Sequence, residues 1–319
     1  MIFKNRFDNL DKDQIDLLNS YFDGFDYNSS SYTYIANYMW RNTHNITWEV
    51  IGDYLCIGAM SENEEGGPMY CMSVPLTKDG VYNPAKLKET IEACRAMFAE
   101  KGQPMCMGLV PETVAPILKE AYGDDVELEE SRDDADYIYL KEDLVNLSGR
   151  KFHQKKNHLN FFLRNTEFTY EEATPEMIPE IMDYILGKNE YKLEETPDEW
   201  KEILEMENEA IEEMLSFVGK GLLSGIIRID GKIMAVTFGE FAKTNSKETV
   251  IVHVEKADDR VRGLYQAINN EFVKRLPEET IYVNREEDMG METLRQTKLS
   301  YRPVFLVEKG IVTMKEEEM

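Results

Sequence analysis

The dipeptide Asp230-Gly231 stands between two long β-prone runs, GLLSGIIRI and KIMAVTFGEFA. An Asp-Gly pair in that setting favours a two-residue turn with positive φ at both central positions, so the chain doubles back as a hairpin. A further run, TVIVHVE, leads into a helical pattern over about 261–275 and then a short strand, TIYVN. Ahead of the hairpin lie a strand-like stretch over 167–171 and helical patterns over about 175–187 and 197–218. This order of helices and strands predicts a mixed α/β sheet.

The first half repeats a similar order loosely. Ile15, Leu17, Leu18 and Tyr21 recur at helical spacing, as do Tyr34, Ile35, Tyr38, Met39 and Trp40. Strand-like runs follow over 47–51, 54–59 and 70–74, the first two divided by Gly52-Asp53. A helix over 84–100, a strand ending at Val110 and a helix opened by Pro111 complete the half. A chain of 319 residues exceeds one ordinary core, and we expect two domains, 1–145 and 146–319.

Charge limits the partners. With 61 acidic against 36 basic residues, the net charge of −25 repels DNA and anionic lipid at long range, so a polyanion must be held by a local basic patch. The chain carries two such patches. In NLSGRKFHQKKNHLNFFLRN, a helix over 148–164 capped by Ser148 would place Lys151, Lys155 and His158 on one face and Phe152, Leu159 and Phe162 on another, with Lys156 beside the cationic stripe. This connecting helix is either a docking face for a phosphate-rich partner or a solvated linker that balances the acidic helix over 199–213. The apolar stripe of that acidic helix is Trp200, Ile203, Leu204, Ile211 and Leu215, which favours a solvated face over a metal site.

The cysteines, Cys56, Cys71, Cys94 and Cys106, form no CxxC pair, and we expect reduced, mostly buried thiols. His153 and His158 cannot share a metal on a regular helix, and His44 and His253 are isolated in sequence, so no metal is expected. Nor is a signal peptide or a membrane span, and a cytoplasmic location is the expectation.

The second patch is VNREEDMGMETLRQTKLSYRP, from Val283 to Pro303. Asn284 and Arg285 would sit at a sheet edge, and a helix from about Gly290 would place Arg295 and Lys298 one turn apart. In the preceding helix Arg262, Tyr265 and Asn269 form a stripe, so these groups and Tyr301 can converge on one cleft. The start of that helix, Arg260-Val261-Arg262-Gly263, offers free backbone N–H groups to an anion.

Arg260-x-x-Gly263-x-Tyr265 resembles the R/Q-x-x-G-x-G/A acyl-CoA loop of the GNAT acyltransferases, departing at Tyr265, where that pattern has a small residue. More extensively, GRKFHQKKNHLNFF, RGLYQAINNEF and the Val283–Pro303 stretch resemble the DUF2156 family, the C-terminal part of phosphatidylglycerol lysyltransferases. Asn284, Arg285, Asp288, Gly290, Leu294, Arg295, Lys298, Ser300, Tyr301 and Pro303 match that family's NREQDLGIPGLRKAKxSYxP pattern. The resemblance implies two tandem GNAT-like acyltransferase domains, an architecture shared with enzymes that move an amino acid from aminoacyl-tRNA to a lipid or a peptidoglycan precursor. It makes Arg260, Arg262, Gly263, Asn269, Asn284, Arg285, Arg295 and Tyr301 candidates for substrate binding. Asp288, Tyr265 and Lys298 become candidates for catalysis, Asp288 as the carboxylate that orients an amine or takes its proton. The other reading of Asp288 is a helix cap, with Arg295 and Lys298 paired to Glu286, Glu287 and Glu292. No cofactor is implied. A noncatalytic module for a small anionic metabolite or a protein, and an acetyl-CoA-dependent N-acetyltransferase, are the competing functions.

Overall fold

The computed structural model describes residues 1–26, 28–62, 67–193 and 198–314. The first half contains β1 (Asn5–Arg6), α1 (Lys12–Phe22), α2 (Tyr34–Met39), β2 (Thr47–Ile51), β3 (Tyr54–Glu62), β4 (Pro68–Met72), α3 (Pro84–Glu100), β5 (Met107–Pro111) and α4 (Ala115–Tyr122). A long strand, β6 (Val126–Leu140), and α5 (Lys141–Asn146) lead to α6 (His153–Asn165). Then come β7 (Thr169–Glu171), α7 (Ile178–Leu193), α8 (Asp198–Leu215), β8 (Leu223–Ile229), β9 (Lys232–Lys243) and β10 (Ser246–Ala257). They are followed by α9 (Leu264–Arg275), β11 (Tyr282–Asn284), α10 (Glu292–Leu299) and β12 (Phe305–Met314).

The described strands join one 12-stranded sheet in the order β1-β2-β3-β4-β5-β12-β6-β11-β10-β9-β8-β7. The expected mixed α/β class is what forms. The β8–β9 turn has φ of 50° at Asp230 and 77° at Gly231, the positive pair that its sequence favours. Among the described strands two neighbour pairs are parallel, β4 with β5 and β10 with β11, and each is bridged by a crossover helix, α3 or α9. The same device thus occurs once in each half.

The centre of the sheet interleaves the halves. β12 lies between β5 and β6, pairing Lys309–Pro111 on one side and Phe305–Ile138 on the other. A cut after residue 145 therefore passes through a continuous sheet. One apolar core packs under α1, α2, α3, α7 and α8, with Leu18, Ile35, Leu87, Ile185, Ile211 and Phe238 among its members. A second core, holding Tyr137, Phe152, Phe162, Val250, Leu264 and Tyr301, packs under α5, α6 and α9.

One strand was not read from the sequence, and one local reading is corrected. β6 is a strand of 15 residues that the sequence does not announce, because acidic residues occupy most of its first part. Pairing with β12 along its length overrides that composition. Ser148 makes no cap either: the chain enters α6 through a tight turn over Arg150–Phe152, preceded by Gly149 at φ 84°, with no side-chain cap bond. The acidic helix α8 behaves largely as expected, with Ile211 and Leu215 buried. Two of its acids nevertheless pair inward, Glu213 with Arg41 at 2.8 Å and Glu207 with Lys256 at 2.7 Å. Pro197, expected to open this helix, and the side chain of Trp200 lie outside the described residues.

Candidate active site

β10 and β11 are in register only from Thr249–Tyr282 to Ile251–Asn284. Beyond that point β10 continues along β9 as far as Ala257, while the chain after β11 turns away, so the two parallel strands open into a wedge. The turn is set by Asn284, whose Oδ1 accepts from the Glu286 N–H at 2.7 Å, and by Glu286 itself at φ 58°. A bulge in β10 between Val252 and Val254 re-aims the side chains that follow. As a result His253 and Glu255, two residues apart, reach partners on opposite faces of the sheet.

On the α9 face, Arg285 donates from Nη2 to Glu255 at 2.9 Å, and Asn269 of α9 donates to the other Glu255 oxygen at 2.9 Å. The guanidinium lies 4.8 Å from the Tyr301 ring centre and 5.7 Å from that of Tyr139. Its Nη1 is buried and finds no hydrogen-bond partner among the described residues. Lys155 of α6 reaches in from above, its Nζ 4.4 Å from the Tyr301 ring centre. Burial first, and then the Arg285 charge, pull the Lys155 ammonium below its ordinary range. Burial pushes the Tyr265 and Tyr301 phenols up to about 12, so both stay protonated. Lys298 is buried beneath the turn and donates to the carbonyls of Arg285 and Glu286, and burial lowers it to about 8.

The α2 face holds a second set of charges. His253 bridges Glu240 at 3.0 Å and Glu286 at 2.7 Å. Burial opposes its protonation, but hydrogen bonds to the two carboxylates prevail and raise it to about 10, so the ring is an imidazolium at neutral pH. Glu240 also accepts from Thr33 Oγ1 at 2.5 Å and from the Ala36 N–H at 3.2 Å, which closes the N-terminus of α2. Beside it, fully buried Asp136 accepts from Lys309 at 2.8 Å, from the Ser30 N–H at 2.7 Å and from Asn284 at 3.0 Å. Glu287 is part-exposed at the edge of this set, 3.9 Å from Lys309, and desolvation raises it to about 7.

Of the candidates read from sequence, Asn269, Asn284, Arg285, Lys298, Tyr301 and Lys155 gather at the wedge. Asp288 is drawn away from it. Arg295 donates to both of its oxygens, at 2.7 and 2.8 Å, Tyr137 at 2.5 Å and the Gly290 N–H at 3.0 Å, in a fully buried position. Although burial opposes ionisation, Arg295 and Tyr137 hold the carboxyl well below its usual range. It is therefore a poor proton acceptor, and its geometry is that of an anchor for the turn and for Arg295. The alternative pairing of Arg295 and Lys298 with nearby glutamate side chains does not form either: Arg295 binds Asp288 and Asp133, and Lys298 binds backbone.

The loop before α9 is not arranged as a phosphate cradle. Arg260 donates to Asp258 from Nε at 2.9 Å and from Nη2 at 2.6 Å. Arg262 points the other way, 4.5 Å from the Phe161 ring centre, into an open cleft lined by Asn157, Asn160 and Arg164. Gly263 has φ 88°, and a Cβ there would lie 2.2 Å from the His158 carbonyl oxygen, so the close crossing of α6 and α9 requires glycine. The basic stripe of α6 is likewise divided. Lys151 pairs with Asp143 at 2.8 Å, Lys156 donates to the Asn146 carbonyl at 3.2 Å, and Lys155 turns into the wedge.

Sequence reasoning missed His253, Glu240, Glu255, Asp136 and Lys309. A signal existed for three of them, since HVE in TVIVHVE and the aspartate in ADYIYL are polar residues inside apolar strands.

A mixed sheet whose parallel strands splay after a crossover helix, with charged groups in the splay, is the GNAT-like acyltransferase fold. Residues 25–312 match the family described as phosphatidylglycerol lysyltransferase, C-terminal, and the chain belongs to that family. The crystal structure of a conserved protein of unknown function from Bacteroides thetaiotaomicron is 30% identical, covers 96% of this chain and 98% of its own, and superposes with a TM-score of 0.83. The L-PGS of Bacillus licheniformis is 12% identical with a TM-score of 0.59, over 97% of this chain and 93% of its own. FemX is 11% identical with a TM-score of 0.60, over 95% and 96%. At these identities the last two show the fold alone. An uncharacterized protein of Mycoplasmoides gallisepticum is 24% identical over 183 residues, and the chain spans 55% of that relative's length. Among the described residues no helix is long and apolar enough to cross a membrane, and no cluster of His, Cys, Asp and Glu is placed to hold a metal ion.

Proposed function

We propose that this chain is an acyltransferase that moves an aminoacyl group from an activated ester, aminoacyl-tRNA being the donor the family favours, to an amine or hydroxyl of a lipid or small-molecule acceptor. The observation that carries this reading is the Arg285 guanidinium: it lies beside the Tyr301 and Tyr139 rings at the wedge, with one nitrogen spent on Glu255 and another without a partner among the described residues. A fixed donor of this kind suits the oxygen of an ester carbonyl as negative charge develops on it. In the reaction the acceptor's nitrogen or oxygen bonds to the carbonyl carbon, the ester C–O bond breaks, and the acceptor's proton passes to a base and on to the leaving oxygen. Asp288, held ionised by Arg295 and Tyr137, does not take that proton, and Glu287 faces Lys309 on the other side of the sheet from Arg285, so solvent is assigned as the base. Tyr265, whose phenol stays protonated, and Lys155, 4.4 Å from the Tyr301 ring centre, are assigned to donor binding.

The test is transfer of radiolabel from a mixed pool of charged tRNAs to the lipid, small-molecule and protein fractions of a cell extract. Arg285→Lys retains a cation for Glu255 but loses the second nitrogen. It is expected to lower the rate about 100-fold with an almost unchanged melting temperature. Transfer that survives Arg285→Lys would remove the site assignment. No label in any fraction, from protein shown to be folded, would leave a binding module for a small anion.

A further inference from the structure

Two pairs of thiols meet in the first half of the chain, and they differ in the property that governs oxidation. Cys56 and Cys94 are 3.7 Å apart, sulfur to sulfur, and both are 0% exposed. Cys71 and Cys106 are 3.0 Å apart and only part-buried. Cys71 lies in β4 and Cys106 immediately precedes β5, next to the register pair Met72–Met107 that joins these parallel strands. The Met72 N–H donates to the Cys106 carbonyl at 2.9 Å, which fixes the two backbones side by side. Gly108 supplies the space, since a Cβ there would lie 3.1 Å from the Cys71 sulfur.

We propose that Cys71 and Cys106 are a redox modification site that closes reversibly to a disulfide, while Cys56 and Cys94 in the same half remain thiols. A disulfide needs the two side chains directed at each other across a short backbone separation, and adjacent β residues meet that condition. The Cys71 contact lowers Cys106 to about 7 while Cys71 itself is raised, which makes Cys106 the attacking thiolate. With a small disulfide such as glutathione disulfide as oxidant, the Cys106 thiolate attacks one sulfur and releases the first glutathione thiolate. The Cys71 thiol then gives up its proton and attacks the Cys106 sulfur, releasing the second. The protein pair loses two electrons and two protons, and glutathione disulfide becomes two thiols. The new bond ties β4 to β5 beside that ladder pair, in the half's counterpart of the β10–β11 junction.

The full chain is incubated with glutathione disulfide, its free thiols are alkylated under native and then denaturing conditions, and the peptides are mapped by mass. The expected result is one bond joining the peptides of Cys71 and Cys106, reversed by dithiothreitol, with Cys56 and Cys94 alkylated only after denaturation. The oxidised protein should melt roughly 5 °C higher. Cys71→Ser should halt the reaction at a mixed disulfide of Cys106 with one glutathione. Four alkylatable thiols after oxidation, or a bond that includes Cys56 or Cys94, overturns the proposal. So does failure of Cys106 to take up glutathione in Cys71→Ser.

Discussion

Lys309→Met is expected to cost about 3–5 kcal/mol of stability, the cost of leaving a buried charge without its partner. Lys309 and Asp136 lie on β12 and β6, next to each other in the middle of the sheet, and both are almost completely removed from water. Asp136 is at the same time the acceptor for the Ser30 backbone and for Asn284, so it fastens the segment before α2 to the strand that opens the wedge. Burial opposes charge on both partners, and each holds the other in its charged form. Methionine keeps the bulk but removes the ammonium, and the carboxyl then faces desolvation with only the Ser30 and Asn284 hydrogen bonds to support its charge, which raises its pKa above the wild-type value. A group whose folded pKa is raised favours the folded state as pH falls, so the deficit of the variant should shrink between neutral and acidic pH. Denaturant unfolding of both proteins across that range measures it. Adding Asp136→Asn to Lys309→Met should recover part of the loss, because no unpaired charge remains. A single-variant cost below about 1 kcal/mol, the size of a surface pair, would show that this pair does not join the two halves.

How much of this was legible depended on whether the information was local. The hairpin at Asp230-Gly231 follows from two residues, and α1 from its capping box at Asp11 and Gln14 together with an apolar stripe. Asn284 and Arg285 fall at the end of a strand, as expected, because TIYVN has a clear β pattern and the motif follows it directly. The roles of the motif's charges were not local. Asp288 looks like a free carboxylate until Tyr137, 151 residues earlier, and Arg295 are found on it. Gly263 looks like part of an anion loop until the His158 carbonyl is found against it. His253 appears isolated because its partners lie 13 and 33 residues away, across β9 and beyond β11. β6, which supplies Asp136, Tyr137 and Tyr139, escapes a pattern search because its acids face outward over the part where its apolar residues are sparse.

His253→Gln is the companion test, and its signature is a pH profile. In the folded protein the imidazole titrates near 10, against 6.5 for an ordinary histidine, because Glu240 and Glu286 hold its proton between them. A folded-state pKa raised in this way contributes stability that is fully present below about pH 6.5 and is lost as pH climbs through the folded value. The wild type should therefore lose several kcal/mol between about pH 7 and 10, since each tenfold gain in proton affinity on folding is worth about 1.4 kcal/mol. Glutamine donates to one carboxylate but carries no charge, so Glu240 and Glu286 are left to repel each other in a site already closed by Thr33 and the start of α2. The variant should be destabilised by about 3–5 kcal/mol at pH 7 and approach the wild type near pH 10, where the wild-type ring has begun to lose its own proton. Glu287, Lys298 and Cys106 also titrate in or near this window, but they are common to both proteins, so the difference between the two melting curves isolates His253. Parallel curves from pH 6 to 10 would mean that the ring is neutral in the fold. Converging curves would establish that the loop bearing Arg285 and Glu287 is held to β9 and β10 by a buried positive charge, which makes the geometry of the wedge a function of pH.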